Sequence, residues 1–194
     1  DFVDKPVSLY AATKKSNELL AYTYSHLYRI PATGLRFFTV YGPWGRPDMA
    51  YYDFANRYFR GEPIKIFNNG DFENDLERDF TYIDDIIEGI LKLIPLLPKK
   101  DENNVPHIVY NIGNNHPEKL MTFIHTLEKS FSMVLGREVV FEKVYEPLKP
   151  GDVPITYAST ELLEQAIGFK PKTSIEEGLQ RFAEWYVDYY EIQS

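Results

Sequence analysis

From Leu9 to Tyr28 the chain contains neither Pro nor Gly and is rich in helix formers, which predicts one long helix ended by Arg29-Ile-Pro-Ala-Thr-Gly34. The next run, Leu35-Arg-Phe-Phe-Thr-Val-Tyr41, is short, aromatic and β-branched and halts at the turn dipeptide Gly42-Pro43. It reads as a fully buried central strand that needs a neighbour on each side. The loop Gly42 to Asp48 leads into a helix closed by Gly61, followed by a strand at Ile64-Lys-Ile-Phe67 and a polar loop. A strand at Asp79-Phe-Thr-Tyr82 then meets a helix from about Asp84 to Leu97. Next come a strand at Ile108 to Ile112, a helix from about Glu118 to Leu135 and a strand at Glu138 to Val144. Two helices follow Pro150-Gly-Asp152: the first ends at Gly168, and the second opens at Ser174, whose side chain is placed to form a capping box with Glu177. Strands alternating with helices predict an α/β fold with a largely parallel sheet. Neither an internal repeat nor a linker between autonomous domains is visible.

Composition narrows the function classes. A chain of 194 residues that is 44% hydrophobic is long enough to bury roughly 70% of its unfolded surface. Its 13 Phe, 15 Tyr and 2 Trp are spread over the whole length, so no stretch has the aromatic-poor composition of a disordered tail. A formal charge of -8 argues against a nucleic-acid or anionic-membrane surface, so an anionic ligand has to be met by a local basic cluster. The absence of cysteine excludes disulfides, thiol nucleophiles and thiolate metal sites and fits a cytoplasmic location. The longest apolar run, around Ile83 to Leu97, is interrupted by Asp84, Asp85, Glu88, Lys92 and Pro95 and does not read as a membrane span.

Most candidate chemistry has an ordinary explanation. His26, His107, His116 and His125 fall in different predicted elements without metal-ligand spacing, so no metal is expected. The alternating acids Asp71, Glu73, Asp75, Glu77 and Asp79 suggest a calcium loop, but Leu76 stands where an EF-hand needs Gly, and a solvated loop is the better reading. No G-x-S-x-G elbow supports a serine nucleophile. Tyr10 and Lys14 differ, because i,i+4 spacing puts them on one helix face. Bringing a tyrosine from its free pKa of about 10 to neutrality needs roughly 4 kcal/mol of selective phenolate stabilisation. An ammonium ~5 Å away supplies about 3 kcal/mol at an effective dielectric of 20. The spacing therefore permits a phenolate base, although such pairs are common on exposed helices.

The neighbouring residues give this pair a context. Ser8-Leu-Tyr-Ala-Ala-Thr-Lys14 followed by Gly34-Leu-Arg-Phe-Phe-Thr-Val-Tyr-Gly-Pro43 resembles the extended short-chain dehydrogenase/reductase superfamily. Gly42-Pro-Trp-Gly-Arg-Pro-Asp-Met-Ala50, Arg78-Asp-Phe-Thr-Tyr-Ile-Asp-Asp85, Tyr110-Asn-Ile-Gly-Asn114 and Pro150-Gly-Asp-Val153 resemble, in the same order, the UDP-glucuronate 4-epimerases. The resemblance implies the C-terminal part of an NAD(P)-binding Rossmann-like doubly wound parallel sheet plus a small α/β substrate-binding domain. Residues 1–48 would belong to the dinucleotide-binding domain. Residues 49–194 would form mainly the sugar-nucleotide-binding domain, with about 79–112 returning to the Rossmann sheet. It further implies reversible oxidation at sugar carbon 4 with NAD as cofactor, Tyr10 as general base and Lys14 lowering its pKa and holding the nicotinamide ribose. A bound oxidised nicotinamide would add the second positive charge that the phenolate requires. By the same resemblance the backbone at Phe37 lies near the nicotinamide carboxamide, and Thr39 and Arg46 surround the sugar, with the Arg46 fork suited to a uronate carboxylate. Phe67 corresponds to a uracil contact, Arg78 and Lys149 to the positive residues facing the diphosphate, and Asp152 to the acceptor of ribose hydroxyls.

The chain also departs from this pattern. Its 11 glycines include no G-x-G-x-x-G turn, and the Ser/Thr that completes the catalytic group with Tyr10 and Lys14 is expected before Asp1. The expectation is that these residues are the C-terminal part of a longer protein, retaining little NAD and no epimerase activity on their own. Two rivals stand beside the epimerase: a UDP-sugar decarboxylase or 4,6-dehydratase on the same fold, and a non-catalytic sugar-nucleotide-binding module. The resemblance implies a homodimer through the Tyr10/Lys14 helix, for which Leu19, Leu20, Tyr24 and Leu27 would supply an apolar face. Core packing would explain those four residues equally well.

Overall fold

The computed structural model describes residues 3–68, 70–71, 75–148, 155–157 and 159–193. Helix α1 (Leu9–Tyr28) begins where Ser8 Oγ accepts the Ala11 N–H at 3.1 Å and ends where Arg29 turns left-handed, two residues before Pro31. The chain then runs through β1 (Ala32–Phe37) and β2 (Thr39–Tyr41) to α2 (Ala50–Phe59) and β3 (Ile64–Ile66). β4 (Glu77–Tyr82), α3 (Ile83–Leu93), β5 (His107–Ile112), β6 (Pro117–Lys119) and α4 (Leu120–Leu135) follow. β7 (Lys143–Tyr145), β8 (Ile155–Thr156), α5 (Glu161–Ile167) and α6 (Ile175–Tyr189) complete the order.

The predicted single strand from Leu35 to Tyr41 is in fact two. β1 pairs parallel to β5 from Ala32↔His107 to Phe37↔Ile112, and β2 pairs parallel to β4 from Thr39↔Phe80 to Tyr41↔Tyr82. The chain changes hydrogen-bonding partner at Phe38. Nor is β1 a fully buried central strand: its residues are half-buried or exposed, and β5 is its one partner among the described residues. β3 pairs parallel to β7, while β4 also takes β8 in parallel and β6 in antiparallel. The pairing is thus mainly parallel, with β6 and β8 too short to show a period. The expected strand from Glu138 shrinks to β7, yet Val139 and Phe141 are buried, because Glu128 and Ser132 of α4 accept the main-chain N–H groups of Phe141 and Val139 and replace a ladder.

Two apolar cores result. The larger packs α2, α4 and α6 around Tyr41, whose ring meets Tyr82 at 5.7 Å and Phe123 at 5.6 Å between centroids. Burial pushes the Tyr41 hydroxyl far above its ordinary pKa, and it donates to Ser174 O at 3.1 Å. The smaller joins Ile86, Leu93, Ile112 and Leu163, with Leu35 and Val40 packed against them. Ser174 Oγ accepts the Glu177 N–H as predicted, but the Glu177 carboxylate pairs with Arg181 instead of closing the box. Among the described residues no helix is long and apolar enough to cross a membrane.

Gly178 of α6 lies so close to Tyr41 that an added Cβ would stand 2.2 Å from the hydroxyl oxygen and 2.7 Å from the ring. The ring is caged by its aromatic neighbours and cannot retreat. Gly178→Ala is therefore expected to cost about 1–3 kcal/mol of unfolding free energy, the range for overpacking a core, measured by urea denaturation. A loss below about 0.5 kcal/mol, the level of an ordinary surface change, would show that Tyr41 is not held in place.

Candidate functional site

Ser8 fixes the start of α1, so Tyr10 falls in its first turn and Lys14 one turn later. Lys14 Nζ lies 5.5 Å from the Tyr10 ring centroid, and Tyr10 is 71% exposed. The helix is clamped to β1 by a two-pronged ion pair: Arg36 Nε and Nη2 donate to Glu18 Oε1 and Oε2 at 2.6 and 2.8 Å. The hydrogen bond from Arg36 holds the Glu18 carboxyl below its ordinary 4.5 and raises the pKa of the guanidinium in turn. At the other end of the helix, Ser25 Oγ donates to Pro106 O, next to the start of β5. With α1 fixed in this way, Tyr10, Lys14 and Phe37 line one cavity of about 970 Å³ that α1 shares with the β1–β5 pair.

Thr39, only two residues past Phe37, lines a different cavity of about 640 Å³ together with Phe67 and Arg78. The partner change at Phe38 therefore separates the expected cofactor-side residues from the expected substrate-side residues. Arg46 is not part of either lining. It stands exposed on the loop between β2 and α2, with Nε 3.3 Å from Asp48 Oδ1, and Asp48 itself reaches the smaller cavity. Lys149 and Asp152 lie outside the described residues.

The smaller cavity also contains charged residues that the sequence did not single out: Asp53, Arg57, Lys65 and Glu146. Arg57 Nε bonds Asp53 Oδ2 at 2.7 Å, and Lys65 Nζ meets Glu146 Oε1 at 2.8 Å across β3 and β7. The i,i+4 spacing of Asp53 and Arg57 was the available signal for the first pair; the second needed the strand pairing. Arg57, Lys65 and Arg78 thus gather around one hollow, matched in number by Asp48, Asp53 and Glu146 of the same lining.

The solvated-loop reading of the alternating acids fails at Asp75 and Asp79, while Asp71 is exposed and Glu73 lies outside the described residues. Asp75 is 7% exposed, and its carboxylate accepts the N–H of Leu76 at 2.9 Å, the Asn68 amide at 3.3 Å and the N–H of Met121 at 2.8 Å. The last bond caps α4, whose N-cap residue Lys119 makes no side-chain cap. Asp79 is fully buried and accepts the N–H groups of Asn114 and Asn115 at 2.8 and 3.0 Å. Both carboxylates are buried because main-chain donors at a helix start and a strand end converge on them. Asp75 thereby ties Asn68, next to Phe67, to the start of α4 at Met121, beside Leu76 and Leu120 of the smaller cavity.

The sequence pattern of the NAD dependent epimerase/dehydratase family matches residues 1–113. Among curated proteins, the chain is 49% identical to "Protein CapI" of Staphylococcus aureus, covering 98% of this chain and 57% of that one. It is 47% identical to the "Probable UDP-glucuronate 4-epimerase" of Rhizobium meliloti, covering 98% and 56%. Among solved structures, the UDP-glucuronic acid 4-epimerase of Bacillus cereus, crystallised with UDP-glucuronic acid and NAD, superposes with a TM-score of 0.79 at 31% identity over 96% of this chain and 55% of that one. The chain thus spans about half the length of the relatives it matches, and its α/β arrangement is that of this NAD-binding fold.

Asp75→Ala would leave the N–H groups of Leu76 and Met121 without their acceptor. At about 1–3 kcal/mol for each buried donor, urea unfolding should reveal a loss of roughly 2–6 kcal/mol. A nearly unchanged unfolding midpoint would show that the carboxylate does not tie these segments together.

Proposed function

The chain belongs to the NAD dependent epimerase/dehydratase family, and on that footing we propose that the whole enzyme interconverts UDP-glucuronate and UDP-galacturonate by transient oxidation at sugar carbon 4. The observation that carries this reading is the sharing of one cavity by Tyr10, Lys14 and Phe37, two residues from the cavity that holds Thr39, Phe67 and Arg78.

Tyr10, as phenolate, takes the proton of the 4-hydroxyl, holds it while carbon 4 is a ketone and returns it to the product. Lys14 stabilises the phenolate and offers its ammonium to a ribose hydroxyl. The chemistry that NAD supplies when bound is removal of a hydride from carbon 4 and its return to the opposite face, which inverts the centre. The larger cavity fits the nicotinamide end of that molecule, being roomy, partly apolar and lined by a hydroxyl and an ammonium. On the substrate side Thr39 orients the sugar, Phe67 supports the uracil and Arg78 meets the diphosphate, with Lys149 and Asp152 completing the set. Arg46 takes the uronate carboxylate, a task for which a planar fork is suited. Residues 1–48 and about 79–112 serve the dinucleotide-binding sheet, and the remainder of 49–194 serves the sugar nucleotide.

A homodimer through α1 belongs to the same proposal. Leu19, Leu20, Tyr24 and Leu27 are all more than half exposed, so packing within this chain does not account for them.

In the whole enzyme, Tyr10→Phe should abolish turnover while UDP-glucuronate still binds in calorimetry; retained activity would refute the base assignment. Separation of the sugars formed from UDP-glucuronate should yield galacturonate, whereas a pentose would mean decarboxylation. Leu20→Glu should shift the sedimentation of the whole enzyme from dimer to monomer, and an unchanged coefficient would place the contact elsewhere.

A further inference from the structure

The loop that carries Arg46 is held by an unusual set of contacts. Gly42 opens it with φ 139°, and the Gly42 carbonyl accepts the Tyr51 hydroxyl at 3.2 Å. Burial pushes the Tyr51 pKa up to about 12, so that hydroxyl remains a donor. Gly45 packs against the same hydroxyl so closely that a Cβ there would stand 1.7 Å from it. The loop closes where the Met49 N–H donates to Arg46 O at 3.0 Å, feeding directly into α2.

Between these anchors stands Trp44, a bulky residue with φ 59°, in the left-handed region that such side chains rarely adopt. A conformation of this kind persists where the surroundings over-determine it. Here they consist of α6: the indole lies 5.2 Å from the Trp185 ring and 5.1 Å from the Tyr189 ring, centroid to centroid. Those two rings stack on one another at 5.1 Å, and Trp185 in turn contacts Phe182 and Tyr52 of the larger core. Trp44 nevertheless leaves most of its surface in solvent, so it adds little to the core. Its position matters more than its burial, because it fixes the backbone two residues before the guanidinium.

We propose that Trp44 is a positioning residue for specificity: docked on Trp185 and Tyr189, its indole sets the direction in which Arg46 leaves the loop and so confers selectivity for a substrate that carries a carboxylate. This rests on the reading of Arg46 as the carboxylate partner. Trp44 touches no reacting atom, and it acts on substrate choice without affecting the proton transfer at Tyr10.

The test compares Trp44→Gly, Trp44→Phe, Arg46→Ala and the double variant Trp44→Gly/Arg46→Ala in the whole enzyme, with UDP-glucuronate and UDP-glucose as substrates. Glycine accepts the left-handed backbone, so Trp44→Gly removes the indole without adding strain. It should raise KM for UDP-glucuronate about tenfold, the loss expected of one charge-assisted hydrogen bond, and change KM for UDP-glucose by less than about twofold. Trp44→Phe, which keeps an aromatic ring for α6, should restore most of the selectivity. The double variant should be no worse than Arg46→Ala alone, because two residues acting through one contact do not add. Equal losses on both substrates in Trp44→Gly, or additive losses in the double variant, would overturn the positioning role and reduce Trp44 to a stabilising contact. If Arg46→Ala itself treats the two substrates alike, the carboxylate reading of Arg46 fails and this inference falls with it.

Discussion

The rest of the molecule is organised by the change of hydrogen-bonding partner at Phe38. The segment from Ala32 to Tyr41 is bonded to β5 through Phe37 and to β4 from Thr39 onward. Two apolar cores flank it: α3 and α5 around Ile112, and α2, α4 and α6 around Tyr41. The main-chain donors and acceptors of one ten-residue stretch are thus satisfied by two strands, which Asp79 of β4 joins by accepting the N–H groups of Asn114 and Asn115 just past β5. Phe37 and Thr39, two residues apart, consequently look into two different hollows.

Much of this was legible in the sequence where a residue type has a single structural use. The length of α1 followed from a Gly-free and Pro-free run between Ser8 and Arg29, and the start of α6 followed from Ser174. The grouping of Tyr10 with Lys14 needed only helical spacing, and that of Phe37 with them, in one cavity, came from the order of motifs. The partner change was not legible, because Leu35 to Tyr41 has one composition throughout and only the identity of the distant partner strand divides it. The burial of Asp75 and Asp79 was hidden for a similar reason. An acid in a polar run looks solvated until the N–H groups of Met121, Asn114 and Asn115 arrive from far along the chain. Lys65 and Glu146 likewise become neighbours only through the pairing of β3 with β7.

These buried carboxylates alter the meaning of the acidic balance. Part of the formal charge of -8 is directed inward, where Asp75, Asp79 and Asp85 serve as acceptors for loops that have no ladder of their own. The Thr173 N–H, for instance, donates to Asp85 at 2.9 Å just before α6 begins. The lining of the smaller cavity, with three cations against three carboxylates, is formally neutral within an acidic chain.

The contact between Trp44 and Trp185 has a practical side. The sequence contains 2 tryptophans, and these are the two. All indole emission from these 194 residues therefore originates at a single junction between the β2–α2 loop and α6. Whatever displaces that loop changes the environment of both fluorophores together, so this chain, unlabelled, carries an optical reporter of where Arg46 is held.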